Sequence, residues 1–210
     1  MPGCVIGECV TIFPNAVLYE DSIVGDRCII HSNAVIGSYG FGYSTVDGQH
    51  HLSAQLGYVE IGSDVEVGAC STIDRGTYGP TLIGEGTKID NHVMIAHNCR
   101  IGKYNILCSQ VGIAGSCTTG DYVMMGGQVG VADHNNIGHH VSIGAQTGVF
   151  KDIPDGESHF GSPSSPIREQ AKKYSAFDRL PEMRQQFREM QRRLASLLLQ
   201  IEASDKKDAA

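Results

Sequence analysis

Aliphatic residues recur at every sixth position of this chain, at Ile6, Ile12, Leu18, Val24, Ile30 and Ile36. After a break the step returns at Ile61, Val67 and Ile73, and four extra residues later it runs on through Ile83, Ile89, Ile95, Ile101, Leu107 and Ile113. Thr119 is the one non-aliphatic member before Met125, Val131, Ile137, Ile143 and Val149. An amphipathic helix repeats its apolar face near every 3.6 residues and a half-buried strand every two, so a sustained period of six fits neither. It fits a three-sided prism. Each hexad supplies a short strand and a corner, three hexads close a coil of 18 residues, and the aliphatic side chains stack into one dry core. Successive coils then lie about 4.8 Å apart. The expected fold class is all-β, a parallel β-helix of hexapeptide repeats.

Two interruptions break the count. Residues 37–60 abandon the period and residues 79–82 insert four positions; excursions of this kind leave a solenoid at a corner and often shape a site. After Pro154 the repeat is expected to end. Gly161-Ser162-Pro163-Ser164-Ser165-Pro166 reads as an extended linker. A short helix over 167–177 and a second from Asp178 and Pro181 to about residue 203 follow it. The expected organisation is thus a β-helix over 1–160 with a loop insertion at 37–60, and a linker with C-terminal α-helices over 161–210. The second helix carries an apolar stripe, Phe187, Met190, Leu194, Leu197, Leu198 and Ile201, which a homo-oligomer would bury.

Charge divides along the same line. Residues 1–160 hold 6 Lys/Arg against 16 Asp/Glu, whereas 161–210 hold 10 against 7. An acidic body argues against nucleic acid as a partner, because phosphate binding needs clustered cations, while an acidic protein could dock on the basic tail. No run approaches 18 apolar residues and the N-terminus lacks a signal-peptide pattern, so a cytoplasmic protein without a membrane span is expected.

Seven cysteines, an odd number, argue against a complete disulfide framework. Cys4, Cys9, Cys28, Cys99 and Cys117 are read as small buried residues at the fifth place of a hexad, and no CxxC pair points to a metal. Among nine histidines, His50 and His51 fall in the long loop, His139 and His140 in a late coil and His159 beside the linker, all read as surface groups. His92, His97 and His134 lie in the denser repeat. His97 and His134 differ by two coils plus one residue, about 10 Å along the axis, too far to share a metal ion within one chain. Gly115, however, stands one 18-residue coil above His97, and Asp133 one coil above Gly115 with His134 beside it. An imidazole can take a proton from an amine at neutral pH, and a glycine amide can donate to a developing oxyanion.

The runs Thr72-Ile73-Asp74-Arg75-Gly76-Thr77, Lys88-Ile89-Asp90-Asn91 and Ile95-Ala96-His97-Asn98 resemble motifs of the UDP-3-O-acylglucosamine N-acyltransferase family of lipid A assembly. The resemblance takes in Gly40-Phe41-Gly42-Tyr43, Val111-Gly112-Ile113-Ala114-Gly115-Ser116, Met125-Gly126-Gly127 and Gly161-Ser162-Pro163, and covers roughly residues 36–170. A related O-acyltransferase family shares the Ala-His core but more often has Asp after that histidine, where this chain has Asn98.

The resemblance implies a left-handed helix and a transfer of a 3-hydroxyacyl chain from the phosphopantetheine of acyl carrier protein to the 2-amine of UDP-3-O-acyl-glucosamine. It implies His97 as general base, Asp90 orienting or charging its surroundings and Gly115 as oxyanion donor. Asn91, His134, Phe41 and Tyr43 would contact substrate, and Arg168, Lys172, Lys173 and Arg179 the carrier protein. It further implies a homotrimer with sites between adjacent subunits, no metal and no tightly bound cofactor. Family members usually begin with a separate domain taken to bind the uracil ring, whereas here the first hexad begins at Ile6. The alternatives are an acyltransferase acting on another nucleotide sugar, a non-catalytic β-helix scaffold and a γ-carbonic-anhydrase-like metal protein.

Overall fold

The computed structural model describes residues 1–161 and 167–208, with side chains at all of these except 167–171 and 200–208. The expected linker after Gly161 therefore lies outside the described residues, as do the side chains of Arg168 and Ile201. Two compact units divide the chain, Met1–Ser162 and Pro163–Ala210.

The first unit is a left-handed parallel β-helix with three faces of seven, eight and seven strands. Most strands are two residues long, and each pairs with the strand one coil away, as in Ile95↔Ile113 and Ile113↔Val131. Where the four-residue insertion falls, the pairing widens to Ile61↔Ile83, Val67↔Ile89 and Ile73↔Ile95 without losing face or register. The long loop is absorbed in the same way, through Val24↔Ile61, Ile30↔Val67 and Ile36↔Ile73. Every sixth-position residue from Val24 to Val149 is buried, each aliphatic one contributing about 1.5–3 kcal/mol of transfer free energy. Thr119 is accommodated because its hydroxyl meets the Asn105 amide at 2.7 Å and the Gly102 N–H at 3.0 Å.

The corners explain the left hand. Single non-glycine residues with φ between 54° and 62° recur once per coil on each edge, as Asn98, Ser116 and His134, as Tyr104, Tyr122 and His140, and as His92, Gln110, Gln128 and Gln146. Each such residue costs roughly 1–2 kcal/mol. Ladders along the edges offset part of this. Tyr122 stacks on Tyr104 at 5.3 Å and on His140 at 5.1 Å, while Gln146 donates to Gln128 and Gln128 to Gln110, both at 2.7 Å.

Three details differ from the sequence expectation. Cys28, Cys99 and Cys117 are buried and Cys4 half-buried, but Cys9 is exposed at φ 56°. It stands at the fourth place of its hexad, a left-handed corner that points outward. The repeat also outlasts Pro154, since Ser158–His159 pairs with Ser142–Ile143 through a coil two residues shorter. Finally, residues 37–60 are not shapeless. Tyr43–Val46 and Gln49–Leu52 form an antiparallel hairpin, closed by Asp47 and Gly48 at φ 50° and 75°, the conformation a two-residue hairpin turn requires.

The second unit consists of α1, Ile167–Asp178, and α2, Leu180–Asp208, the latter extending five residues beyond the expected end. Met183, Phe187, Met190, Leu194, Leu197 and Leu198 are exposed along α2. No helix among the described residues is long and apolar enough to cross a membrane.

Candidate active site

Strand Met94–Ile95 delivers His97 to the corner that follows the third face. Its Nδ1 lies 2.9 Å from Asn98 Oδ1, and the identity of that oxygen is fixed independently. The backbone N–H of Thr77, which can only donate, reaches the same atom at 3.2 Å, and the Thr77 hydroxyl reaches it at 2.9 Å. The Asn98 backbone N–H is held in turn by Thr81 Oγ1 at 2.9 Å. With the amide oxygen so oriented, Nδ1 of His97 carries the proton and Nε2 keeps its lone pair. Both interruptions of the repeat contribute: Thr77 lies just before the four-residue insertion and Thr81 within it, and Gln55 of the long loop, itself buried, meets the Thr77 hydroxyl at 3.3 Å.

Two glycines make room for the imidazole. A Cβ on Gly115 would lie 2.7 Å from both Cε1 and Nε2 of His97, and one on Gly40 would lie 2.8 Å from its Cβ. Gly115 thus borders the basic edge of the ring, and its N–H has no acceptor among the described residues. In the column beside it, His134 N–H donates to the Gly115 carbonyl at 3.1 Å.

These groups share a cleft of about 820 Å³, which also takes in Phe41, Asp74, Asp133 and His134. Its floor is the outer surface of the third face, where Gly112, Gly130 and Gly148 pair in consecutive coils and present no side chains. Ala96, Ala114 and Ala132 form a second small-residue column along the same cleft, with Phe150 at its far end.

Of the expected site residues, the structure brings together His97, Gly115, His134 and Phe41. Tyr43 packs edge-on against Phe41 at 5.1 Å but does not line the cleft. Asp90 and Asn91 lie elsewhere in the same chain. They follow a strand of the second face and border a separate polar cleft with His31, Glu66 and Lys88. Asp90 spends one carboxylate oxygen on the Asn91 backbone N–H at 2.7 Å, and the six residues between it and His97 amount to one whole face of the prism. Lys172 and Arg179 are exposed on the helical unit, where they flank a shallow depression. Among the described residues no group of three or more His, Cys, Asp or Glu could hold a metal ion.

Sequence reasoning missed Asp74. It is 3% exposed yet lines the cleft of His97. Burial pushes its carboxyl up from the ordinary range, opposed by a hydrogen bond from Ser38 Oγ at 2.6 Å and by attraction to His97. The signal was present in the Asp-Arg-Gly run, but the inserted residues hide the vertical alignment.

A family model described as bacterial transferase hexapeptide (six repeats) matches residues 3–38 and 80–115, the same stretches that show the six-residue step and its stacked coils. The chain is a hexapeptide-repeat protein. This hexapeptide-repeat protein is 63% identical over 166 residues to a UDP-3-O-acylglucosamine N-acyltransferase of Rhodopirellula baltica, covering 79% of this chain and 44% of that relative. A UDP-3-O-acylglucosamine N-acyltransferase 1 of Gloeobacter violaceus is 52% identical over 88% of this chain and 53% of its own length. The chain therefore spans about half the length of these curated relatives. Among solved structures, a UDP-N-acetylglucosamine acyltransferase from Campylobacter jejuni superposes with a TM-score of 0.65 at 27% identity, over 72% of this chain and 57% of that one.

Proposed function

We propose that this hexapeptide-repeat protein is an N-acyltransferase that moves a 3-hydroxyacyl chain from the phosphopantetheine arm of acyl carrier protein to the 2-amine of UDP-3-O-acyl-glucosamine in lipid A biosynthesis. The observation that carries the proposal is the fixed tautomer of His97. With Nδ1 committed to Asn98, Nε2 is the free base and faces the Gly115 edge of the cleft. The names of the relatives point to the same chemistry.

In this mechanism the acceptor nitrogen attacks the thioester carbonyl carbon while Nε2 of His97 takes its proton. The Gly115 N–H, unclaimed within the chain, donates to the developing oxyanion. Collapse expels the thiolate, which recovers the proton from His97. The open floor of Gly112 and Gly130 suits an extended acyl chain that would run up to the Phe150 ring over Gly148, and Phe41 and His134 border the space left for the sugar.

Asp90 and Asn91 border a cleft apart from their own His97, and their proposed role is to serve a neighbouring copy's cleft in a homotrimer. The basic residues Arg168, Lys172, Lys173 and Arg179 are the proposed contact for the acidic carrier protein, and the cytoplasm the proposed setting. The test is to incubate the protein with hydroxyacyl carrier protein and UDP-3-O-acyl-glucosamine and follow the acylated product by mass spectrometry, with His97→Ala in parallel. Product that vanishes in the variant supports the proposal. No product from folded wild type overturns it.

A further inference from the structure

The His97 cleft has two unlike ends. Above His97 run Ala114, Ala132 and the glycine floor toward Phe150, with the exposed Asp133 and His134 on the corner beside them. Asp74 holds the position below, one coil beneath Ala96, because Ile73 pairs with Ile95. Its own neighbour does not neutralise it. Arg75 turns the other way, donating to the Gly37 carbonyl at 2.8 Å, pairing with Glu20 at 3.3 Å and lying over the rings of Tyr19 and Tyr39. Asp74 Oδ1 accepts from Ser38, and Oδ2 has no hydrogen-bond partner among the described residues. No fully buried side-chain oxygen or nitrogen goes unpaired among those residues, so Oδ2 opens to the cleft.

A carboxylate sunk in a wall is destabilised unless something compensates it, and solvent alone is a poor partner at 3% exposure. A cation or a strong donor arriving with the substrate would supply the missing partner. If the cleft transfers acyl groups as proposed, the acyl chain belongs along the glycine floor and the acceptor at the end where Asp74 is buried in the wall. A free amine at neutral pH is largely an ammonium ion, the natural complement of a carboxylate.

We propose that Asp74 is the residue that selects an amine over a hydroxyl as acyl acceptor, by binding the incoming amino group through Oδ2 beside the base His97. The ammonium group docks on Asp74 and yields one proton to solvent through the open cleft. The resulting amine attacks the thioester carbon and forms the C–N bond. His97 takes the second proton and returns it to the sulfur as the C–S bond breaks. No other reactant is consumed.

The experiment compares wild type, Asp74→Asn and Asp74→Ser on two acceptors, UDP-3-O-acyl-glucosamine and the same molecule with a 2-hydroxyl in place of the amine. Thermal melts show which variants fold. Wild type should prefer the amine. In both variants that preference should fall about ten- to a hundredfold, the size expected for a hydrogen bond to a charged group, through a raised KM for the amine acceptor with the donor's KM unchanged. The loss should shrink above the acceptor's own pKa, where the amine arrives neutral. Equal losses on both acceptors, or a fall in kcat at unchanged acceptor KM, would overturn the assignment. A folded wild type that acylates neither acceptor overturns the acyltransferase proposal itself, and the assignment of Asp74 with it.

Discussion

Gly115 sits against His97 so closely that a methyl group on its Cα would lie 2.7 Å from the imidazole Nε2. Its φ is not left-handed, so the glycine serves space rather than backbone conformation. Gly115→Ala should fold with nearly unchanged stability while displacing the ring that carries the base. The alanine keeps its backbone N–H as oxyanion donor, so the loss comes from the displaced base and should be about 10²-fold or more in kcat. Steady-state kinetics with a thermal melt would test this; a variant that kept its kcat would show that the imidazole does not depend on the space left by the glycine.

Asn98 sets the tautomer of His97, and two substitutions separate that role from simple packing. Asn98→Ala removes the acceptor and should lower kcat by roughly a hundredfold, the low end of the range assigned to general-base catalysis. Asn98→Asp keeps the acceptor and adds a negative charge, which favours the imidazolium. The acid limb of its pH–rate profile should therefore move to higher pH. Nitrogen NMR of the imidazole would report the proton on Nδ1 in wild type and a mixture of tautomers in the alanine variant.

The glycine floor predicts a length effect. Gly130→Leu projects a side chain into the open groove, since a Cβ there meets nothing within 4 Å. It should leave the fold intact and cut the use of long acyl donors by at least about tenfold relative to short ones, in keeping with the 10–200-fold value of a methylene-sized change in a pocket. A series of acyl carrier proteins loaded with different chains would measure it, and a uniform loss at every length would argue that the chain runs elsewhere.

Asp74 also makes a prediction about stability. Its folded pKa is raised above the unfolded value of about 3.9, so the folded state holds the proton more tightly. The contribution to stability is fully present below that value and is lost as pH rises through the folded pKa. Asp74→Asn should therefore match wild type in acid and melt at higher temperature than wild type once pH has passed the folded pKa. Melting curves from pH 3 to pH 8 give the answer. A variant less stable than wild type at neutral pH would show that the carboxylate is compensated within the fold.

Much of this structure could be read from spacing alone, and the failures are equally specific. The six-residue step named the core residues because each coil repeats the same inward position, and the 18-residue coil placed Gly115 over His97. The same arithmetic failed at Asp74, where the insertion near Thr77 stretches the pairing of Ile73 with Ile95 to 22 residues. Asp90 was named through the resemblance alone, and within one chain it stands on a different face from His97, since three faces share 18 positions. The Thr77–Asn98 contact and the hairpin arising from residues 37–60 have no periodic signature. They depend on loops whose course is set by the surfaces they meet.

The stacking of Tyr104, Tyr122 and His140 lies on the edge between the first and second faces, away from the His97 corner. Tyr122→Ala would break two ring contacts at once and should cost about 1–3 kcal/mol without changing turnover by the folded fraction. Chemical denaturation beside a kinetic assay would test both halves.

Because each coil rests only on the coils above and below it, opening at either end of the solenoid need not travel far. The first coil is exposed, with Ile6 and Ile12 more than 40% accessible, whereas Ile73, Ile95 and Ile113 are closed off completely or nearly so. Asp74, His97 and Gly115 follow these three residues in the chain. Amide protons at the Met1 end should therefore exchange with solvent long before those of the coils that hold the site, so the end coils can fray and reseal while the chemistry in the middle goes on undisturbed.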